Sequence, residues 1–280
     1  MQGFEDAIGL GVAGNFTGHL EQAGEAADFV DVAVADAAAP KGVFPFYVPG
    51  SGDHFLATYP LSADTILLPS RDATLQLEPE LGVVCELQYQ GDRVAAVVPR
   101  AFGAYNDCSI RREGAGKISE KKNWGPASKG ISGQLIDIDR FEAGGVLDRY
   151  RIACYLVREG QVHSYGVDSP VSGYSYFYSQ LLEWLLARLG EQRDEGPLED
   201  IGRWLEVAGR PRRAVISVGA TRYTDFGEHN FLEPGDEAHV LVYDAERHEL
   251  SALEGALMAG IEPAEGLSLL RQRVVLQGSE

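Results

Sequence analysis

The stretch that decides the fold is Glu78-Pro79-Glu80, then Leu81-Gly82-Val83-Val84-Cys85-Glu86-Leu87, then Gln90-Gly91-Asp92, then Val94-Ala95-Ala96-Val97-Val98. Leu81–Leu87 and Val94–Val98 are apolar runs of strand length, and Gln90-Gly91-Asp92 between them is a hairpin turn signal. Pro79 removes a ladder donor, which marks a strand start or an edge. The pattern recurs downstream: Tyr150–Val157 reads as a strand, Glu159-Gly160 as a turn and Gln161–Tyr165 as the returning strand. The period then changes. Phe177, Leu181, Trp184, Leu185 and Leu189 fall at helical spacing over Tyr176–Leu189, and Gly190 stops the run. Leu198, Ile201, Leu205 and Ala208 predict a shorter helix ending at Gly209, and strands resume at Ala214–Val218 and Ala238–Tyr243.

Residues 1–70 are rich in Gly, Ala and Pro, with short strand candidates at Val43–Val48 and Thr65–Leu68. They predict a loop-rich N-terminal part (1–70) ahead of the main unit (71–280). Gly14–His19 reads as a loop leading into a short helix. Strands, two helices, then strands predicts an α+β fold. Its sheet is extensive and mixed or antiparallel, with the two helices inserted between the central and late strands. No GxGxxG follows a strand and no GxxxxGK[ST] occurs, which leaves a nucleotide fold with little support.

The 280 residues carry a formal net charge of −18, and 45% of them are hydrophobic. So acidic a chain repels phosphate backbones and anionic lipid, which argues against nucleic acid or a membrane surface as the main partner. No run of about eighteen apolar residues predicts a membrane span. Glu5 and Asp6, without a basic stretch, argue against a secretory signal. Cys85, Cys108 and Cys154 are an odd count with neither disulfide nor zinc spacing, as expected for the cytoplasm. Cys108 beside Asp107 could be a reactive thiol, but a small buried apolar side chain is the better expectation.

Glu78 and Glu80 are two apart, so on a strand they share a face. Like charges there gain nothing structurally, which suggests a cation between them; a solvated acidic strand end is the alternative. Asp107, in Asn106-Asp107-Cys108-Ser109, could bring a third carboxylate, or could sit in a polar turn. Three carboxylates without His or Cys would select Mg²⁺, Mn²⁺ or Ca²⁺. Residues 111–129 hold Arg111, Arg112, Lys117, Lys121, Lys122 and Lys129 against Glu113 and Glu120. This basic segment could attract a small anionic substrate or make salt bridges to an acidic surface, and Gly114 and Gly116 would let it move as a lid.

Glu78-Pro79-Glu80-Leu81-Gly82-Val83-Val84, Asn106-Asp107-Cys108-Ser109-Ile110-Arg111 and Lys129 together resemble the fumarylacetoacetate hydrolase superfamily, with its ExE, NDxSxR and later lysine. Gly11–His19 is similar to that superfamily's GxNYxxH loop. Ile66–Pro69 resembles the strand before its metal motif. Gly219-Ala220-Thr221 and Phe231-Leu232-Glu233-Pro234-Gly235-Asp236 resemble its late GT loop and FLxPGD turn. The likeness spans most of residues 9–244.

The resemblance implies a β-rich mixed-sheet fold, usually dimeric, and a divergent bacterial branch of the superfamily. It implies Mg²⁺ or Mn²⁺ held by Glu78, Glu80 and Asp107. The substrate would be a small 2-oxo or 1,3-dicarbonyl acid, reacting through a metal-held enolate. Hydrolysis of a carbon–carbon bond is the first expectation. Dehydration, decarboxylation, isomerisation or a non-catalytic binding role are the alternatives. By the same resemblance Lys129 would steady the enolate. Arg111 would clamp a substrate carboxylate or pair with a ligand carboxylate, and Thr221 would contact substrate. His19 would act as base with Glu21 or Glu25, since Gln22 stands where HxxE members have glutamate. Val48 replaces a lysine common in the family, and Thr221 lies one place beyond the usual threonine.

Overall fold

A computed structural model describes residues 3–25, 29, 38–112, 114–261 and 263–278. In chain order its strands are β1 (Ile8–Ala13), β2 (Gly42–Tyr47), β3 (Leu61–Ser62), β4 (Thr65–Leu68) and β5 (Leu75–Gln76). Then come β6 (Pro79–Gln90), β7 (Arg93–Asn106), β8 (Ser109–Ile110), β9 (Lys129–Ile131) and β10 (Ile136–Asp137). The last five are β11 (Tyr150–Arg158), β12 (Gln161–Pro170), β13 (Arg213–Ser217), β14 (Glu237–Asp244) and β15 (Leu267–Leu276). The helices are α1 (His19–Gln22), α2 (Ser119–Lys122), α3 (Tyr178–Glu191), α4 (Ile201–Val207), α5 (Asp225–His229) and α6 (Leu250–Ala256).

An eight-stranded sheet runs β2-β1-β13-β6-β7-β9-β3, with β10 also on β7; a five-stranded sheet runs β12-β11-β14-β15-β4; β5 and β8 pair apart. Parallel pairs (β1 with β13, β4 with β15) sit among antiparallel ones, so the sheets are mixed. The fold is α+β, with α3 and α4 between β12 and β13 in the chain. Leu181, Leu185 and Leu189 turn the buried stripe of α3 inward, at the helical spacing read from the sequence.

The β6–β7 hairpin is the spine of the larger sheet, and Gly91 makes its turn at φ 61°. Both strands outrun the apolar runs that announced them, because their polar ends stay paired up to Pro79↔Asn106. The N-terminal part is more strand-built than expected. β1, β2 and β3 belong to the large sheet and β4 joins the small one, so this part supplies strands to both. Glycines masked β1 in the sequence: a Cβ at Gly9 would lie 2.2 Å from the Phe46 ring, and one at Gly11 2.2 Å from the Phe44 ring. The aromatic rings of β2 need those gaps.

Candidate metal centre

The site sits at the open end of the β6–β7 hairpin. Glu78 precedes β6, Glu80 is on it and Asp107 follows β7. Pro79 pairs with Asn106 and Glu80 with Tyr105, and the Asp107 N–H donates to the Glu78 carbonyl at 2.9 Å. Register therefore brings together carboxylates nearly thirty positions apart. All three are buried, and one ligand oxygen from each lies within 4.8 Å of the others.

Three cations face them, and a fourth, Lys121, faces Glu25 beside them. The Lys122 ammonium is 2.6 Å from Glu78 Oε2 and 2.6 Å from Asp107 Oδ2. Lys129 is fully buried; its Nζ lies 3.2 Å from Asp107 Oδ1 and donates to the carbonyls of Asp107 (3.1 Å) and Cys108 (2.6 Å). Arg111 reaches Glu78 Oε1 at 3.0 Å, Glu25 at 2.7 Å, Gln76 at 2.8 Å and the Tyr223 hydroxyl at 3.0 Å. Lys121 approaches Glu25 at 3.9 Å.

These contacts set the protonation pattern. Burial works to raise the Glu78 carboxyl, but Lys122, Arg111 and His19 outweigh it and hold it well below the usual range. Burial and the neighbouring Asp107 push Glu80 well above that range, against the pull of Lys122 and the Gly219 N–H, which donates to Glu80 Oε2 at 2.8 Å. Burial alone would discharge Lys122; Asp107 and Glu78 reverse this and raise it above an ordinary lysine. Burial lowers Lys129 despite Asp107.

His19 opens α1 at the cavity wall. It is 5% exposed, neither ring nitrogen has a hydrogen-bond partner, and Nε2 is 3.9 Å from Glu78 Oε2. Burial pushes its pKa down, so the ring is neutral with a free acceptor nitrogen. Asn15 fixes this loop: its amide donates to the carbonyls of Tyr176 (3.0 Å) and Val218 (2.9 Å) and accepts from the Tyr176 N–H at 2.8 Å.

The cavity between these groups has a volume of about 20 Å³ and is lined by His19, Glu25, Glu78, Glu80, Asp107 and Lys122 with apolar neighbours. That is room for about one water. Glu21 is exposed and outside it, whereas the buried Glu25 lines it. Thr221 is buried behind the wall with its N–H on the Pro79 carbonyl at 3.1 Å, and Ala220 faces the cavity instead. Arg111 is spent on protein acceptors, and so is Lys129. Val48 is buried in the core. Burial pushes the Cys108 thiol up to about 12, which makes it an inert packing group. Sequence reasoning gave Asn15 no role, counted Lys122 only as part of a basic segment and left Glu25 as an alternative to Glu21. The Lys121-Lys122 pair signalled a cation without saying which one turns inward.

The donor set fits a hard divalent ion: oxygen ligands only, converging, with Glu78 Oε1 and both Asp107 carboxylate oxygens buried and lacking a well-aligned hydrogen bond. Lys122 lies against two of the three.

Residues 25–274 match the model of a family of unknown function, DUF5718. The chain belongs to that family. No functionally curated protein matches the sequence. Solved structures share the fold of this DUF5718 chain. The 5-carboxymethyl-2-hydroxymuconate delta-isomerase from Mycobacterium smegmatis has TM-score 0.57 and 17% identity, over 98% of this chain and 80% of its own. A 2-keto-3-deoxy-D-arabinonate dehydratase, complexed with magnesium and 2,5-dioxopentanoate, has TM-score 0.55 and 14% identity, over 97% and 74%. A protein from Yersinia pestis CO92 assigned to the fumarylacetoacetate hydrolase family has TM-score 0.50 and 13% identity, over 96% and 93%. At such identities the likeness establishes a fold of the fumarylacetoacetate hydrolase type. Among the described residues no helix is long and apolar enough to cross a membrane.

Proposed function

We propose that this chain is a metal-dependent enzyme of the fumarylacetoacetate hydrolase type, in a divergent bacterial branch, acting on a small anionic 2-oxo or 1,3-dicarbonyl acid. The observation that carries this reading is the buried triad of Glu78, Glu80 and Asp107 beside a neutral, unpartnered His19. An acidic cluster built only for solubility would be exposed. A Mg²⁺ or Mn²⁺ ion held there by Glu78, Glu80 and Asp107 would supply Lewis acidity toward a substrate carbonyl.

The chain's own residues have separable tasks. Glu78 keeps its charge because Lys122 and Arg111 face it, and Lys122 and Lys129 pair with Asp107. Lys129 positions Asp107, and Arg111 positions Glu78. The Gly219 N–H orients Glu80. His19, neutral and facing the cavity, accepts a proton from water or from an acidic C–H. With water as donor the reaction is carbon–carbon hydrolysis. A second reading, dehydration, decarboxylation or isomerisation, is favoured by one observation: Glu21 is exposed and Glu25 is held by Arg111, so among the described residues no glutamate is hydrogen-bonded to His19. The chain is expected to work in the cytoplasm as a homodimer.

The test is a screen of 2-oxo and 1,3-dicarbonyl acids with Mg²⁺ or Mn²⁺. Turnover should vanish with chelator and in Glu80→Ala; turnover unchanged in that variant contradicts the reading. For the substrate found, His19→Ala should fall by about 10²–10⁴ if His19 moves the proton. Full rate in that variant removes His19 from the chemistry and favours the second reading.

A further inference from the structure

The cation nearest the triad belongs to the protein. Lys122 ends the four-residue α2, is 3% exposed, and puts its ammonium 2.6 Å from an oxygen of Glu78 and 2.6 Å from one of Asp107. The Phe44 ring backs it at 5.3 Å. An ion bridging the same two oxygens would share both acceptors with the ammonium, and like charges at that range repel strongly in a buried site. Lys122 and Arg111 already face Glu78, and Lys122 and Lys129 already face Asp107, while Glu25 lies between Arg111 and Lys121. A divalent ion added with Lys122 in place would crowd further positive charge onto carboxylates that already have cationic partners.

For Lys122 to leave, α2 would have to move. Gly114, ahead of α2, has open space around it, while Gly116 is tied by its N–H to the Glu120 carboxylate at 3.0 Å. α2 is tied to residues 194–199 by the Ile118 N–H to the Pro197 carbonyl at 3.1 Å, Ser119 Oγ to Glu199 at 3.0 Å and Lys117 Nζ to Asp194 at 2.7 Å. Ile118 also packs with Leu20 and Phe44, and the Asn123 amide donates to the carbonyls of Phe46 (2.8 Å) and Thr58 (2.9 Å), contacts that a withdrawal of α2 would have to break. Ile118 and Lys122 also wall the cavity, whose volume of about 20 Å³ is too small for an oxo-acid. Withdrawing α2 would vacate the cation position and make room for substrate in one movement.

We propose that Lys122 is the resident cation of the carboxylate site and that a divalent ion, together with an anionic substrate, enters by displacing it. This rests on the metal reading above. It assigns Lys122 a role in ion affinity and in coupling metal entry to opening of α2.

The experiment is a Mn²⁺ titration of the full chain, followed by electron paramagnetic resonance, for wild type, Lys122→Gln and Lys122→Arg. Lys122→Gln should bind Mn²⁺ at least about tenfold more tightly than wild type, because its buried carboxylates have lost their own counter-charge. Lys122→Arg, which keeps the charge, should not gain. Equal, tight binding by wild type and Lys122→Gln overturns the displacement and leaves the metal reading standing. No binding by either overturns both. Should Lys122→Gln not fold, hydrogen exchange on wild type decides. Mn²⁺ with oxalate should lower the protection of residues 116–123, and unchanged or higher protection overturns the proposal.

Discussion

The two walls of the carboxylate cavity are built from different material. The acidic wall is a long hairpin: Glu80 lies on β6, and Glu78 and Asp107 stand at its open end, each fixed by the register of the largest sheet. The cationic wall is drawn from residues 111–129, whose described residues are mostly irregular, with a single four-residue helix and, at Lys129, the start of β9. Acceptors are placed by sheet geometry, while Lys122 and Arg111 stand outside the strands. The difference separates what is permanent in the site, the triad, from what can be exchanged, the ammonium of Lys122. Lys129 is the exception that clarifies this: it begins β9, which pairs with the end of β7, and it is spent wholly on Asp107 and neighbouring carbonyls.

The comparison breaks most visibly at Asp107. Asp107→Asn removes the carboxylate that faces Lys129 and that Lys122 shares with Glu78, leaving buried positive charge less compensated, which should cost about 3–5 kcal/mol of stability in urea denaturation. A loss under about 1 kcal/mol would mean that these cations relax to water without penalty. On the outer face of the same segment, Lys117 pairs with an exposed Asp194. Asp194→Asn should cost only about 0–1 kcal/mol.

A pH measurement sharpens the account of how α2 is tied down. Burial pushes the Glu199 carboxyl up to about 7 from 4.5, against the hydrogen bond from Ser119 Oγ on α2. The folded state then binds the proton more tightly than the unfolded chain does. Glu199 therefore lowers stability as pH rises from about 4.5 to about 7, by up to about 3 kcal/mol in all. Glu199→Gln should remove that slope and be more stable than wild type at pH 8. An identical slope in the variant would show that Glu199 is already ionised in the folded protein.

Much of this was readable in the sequence, for reasons that can be named. The β6–β7 and β11–β12 hairpins declared themselves by apolar runs around glycine turns, and α3 by its leucine spacing. The triad was readable as a candidate because ExE and Asp107 occur in order. β1 was not, because Gly9 and Gly11 interrupt its pattern to admit the rings of Phe44 and Phe46. β15 was not, because Gln272 is buried at a position that reads as surface, where it accepts from the Asn106 amide at 2.9 Å. Lys122 was hidden in a basic run: a helix of four residues has no periodicity to show which lysine faces inward. Glu21 and Glu25 could not be told apart for the same reason, since α1 ends at Gln22 and a turn carries Glu25 back to Arg111.

The most direct measurement of the central claim is crystallographic. Crystals grown with Mn²⁺ and oxalate should show an anomalous peak within about 2.5 Å of carboxylate oxygens of Glu78, Glu80 and Asp107, with Lys122 moved away from them. No peak, with the Lys122 ammonium still between Glu78 and Asp107, would contradict it.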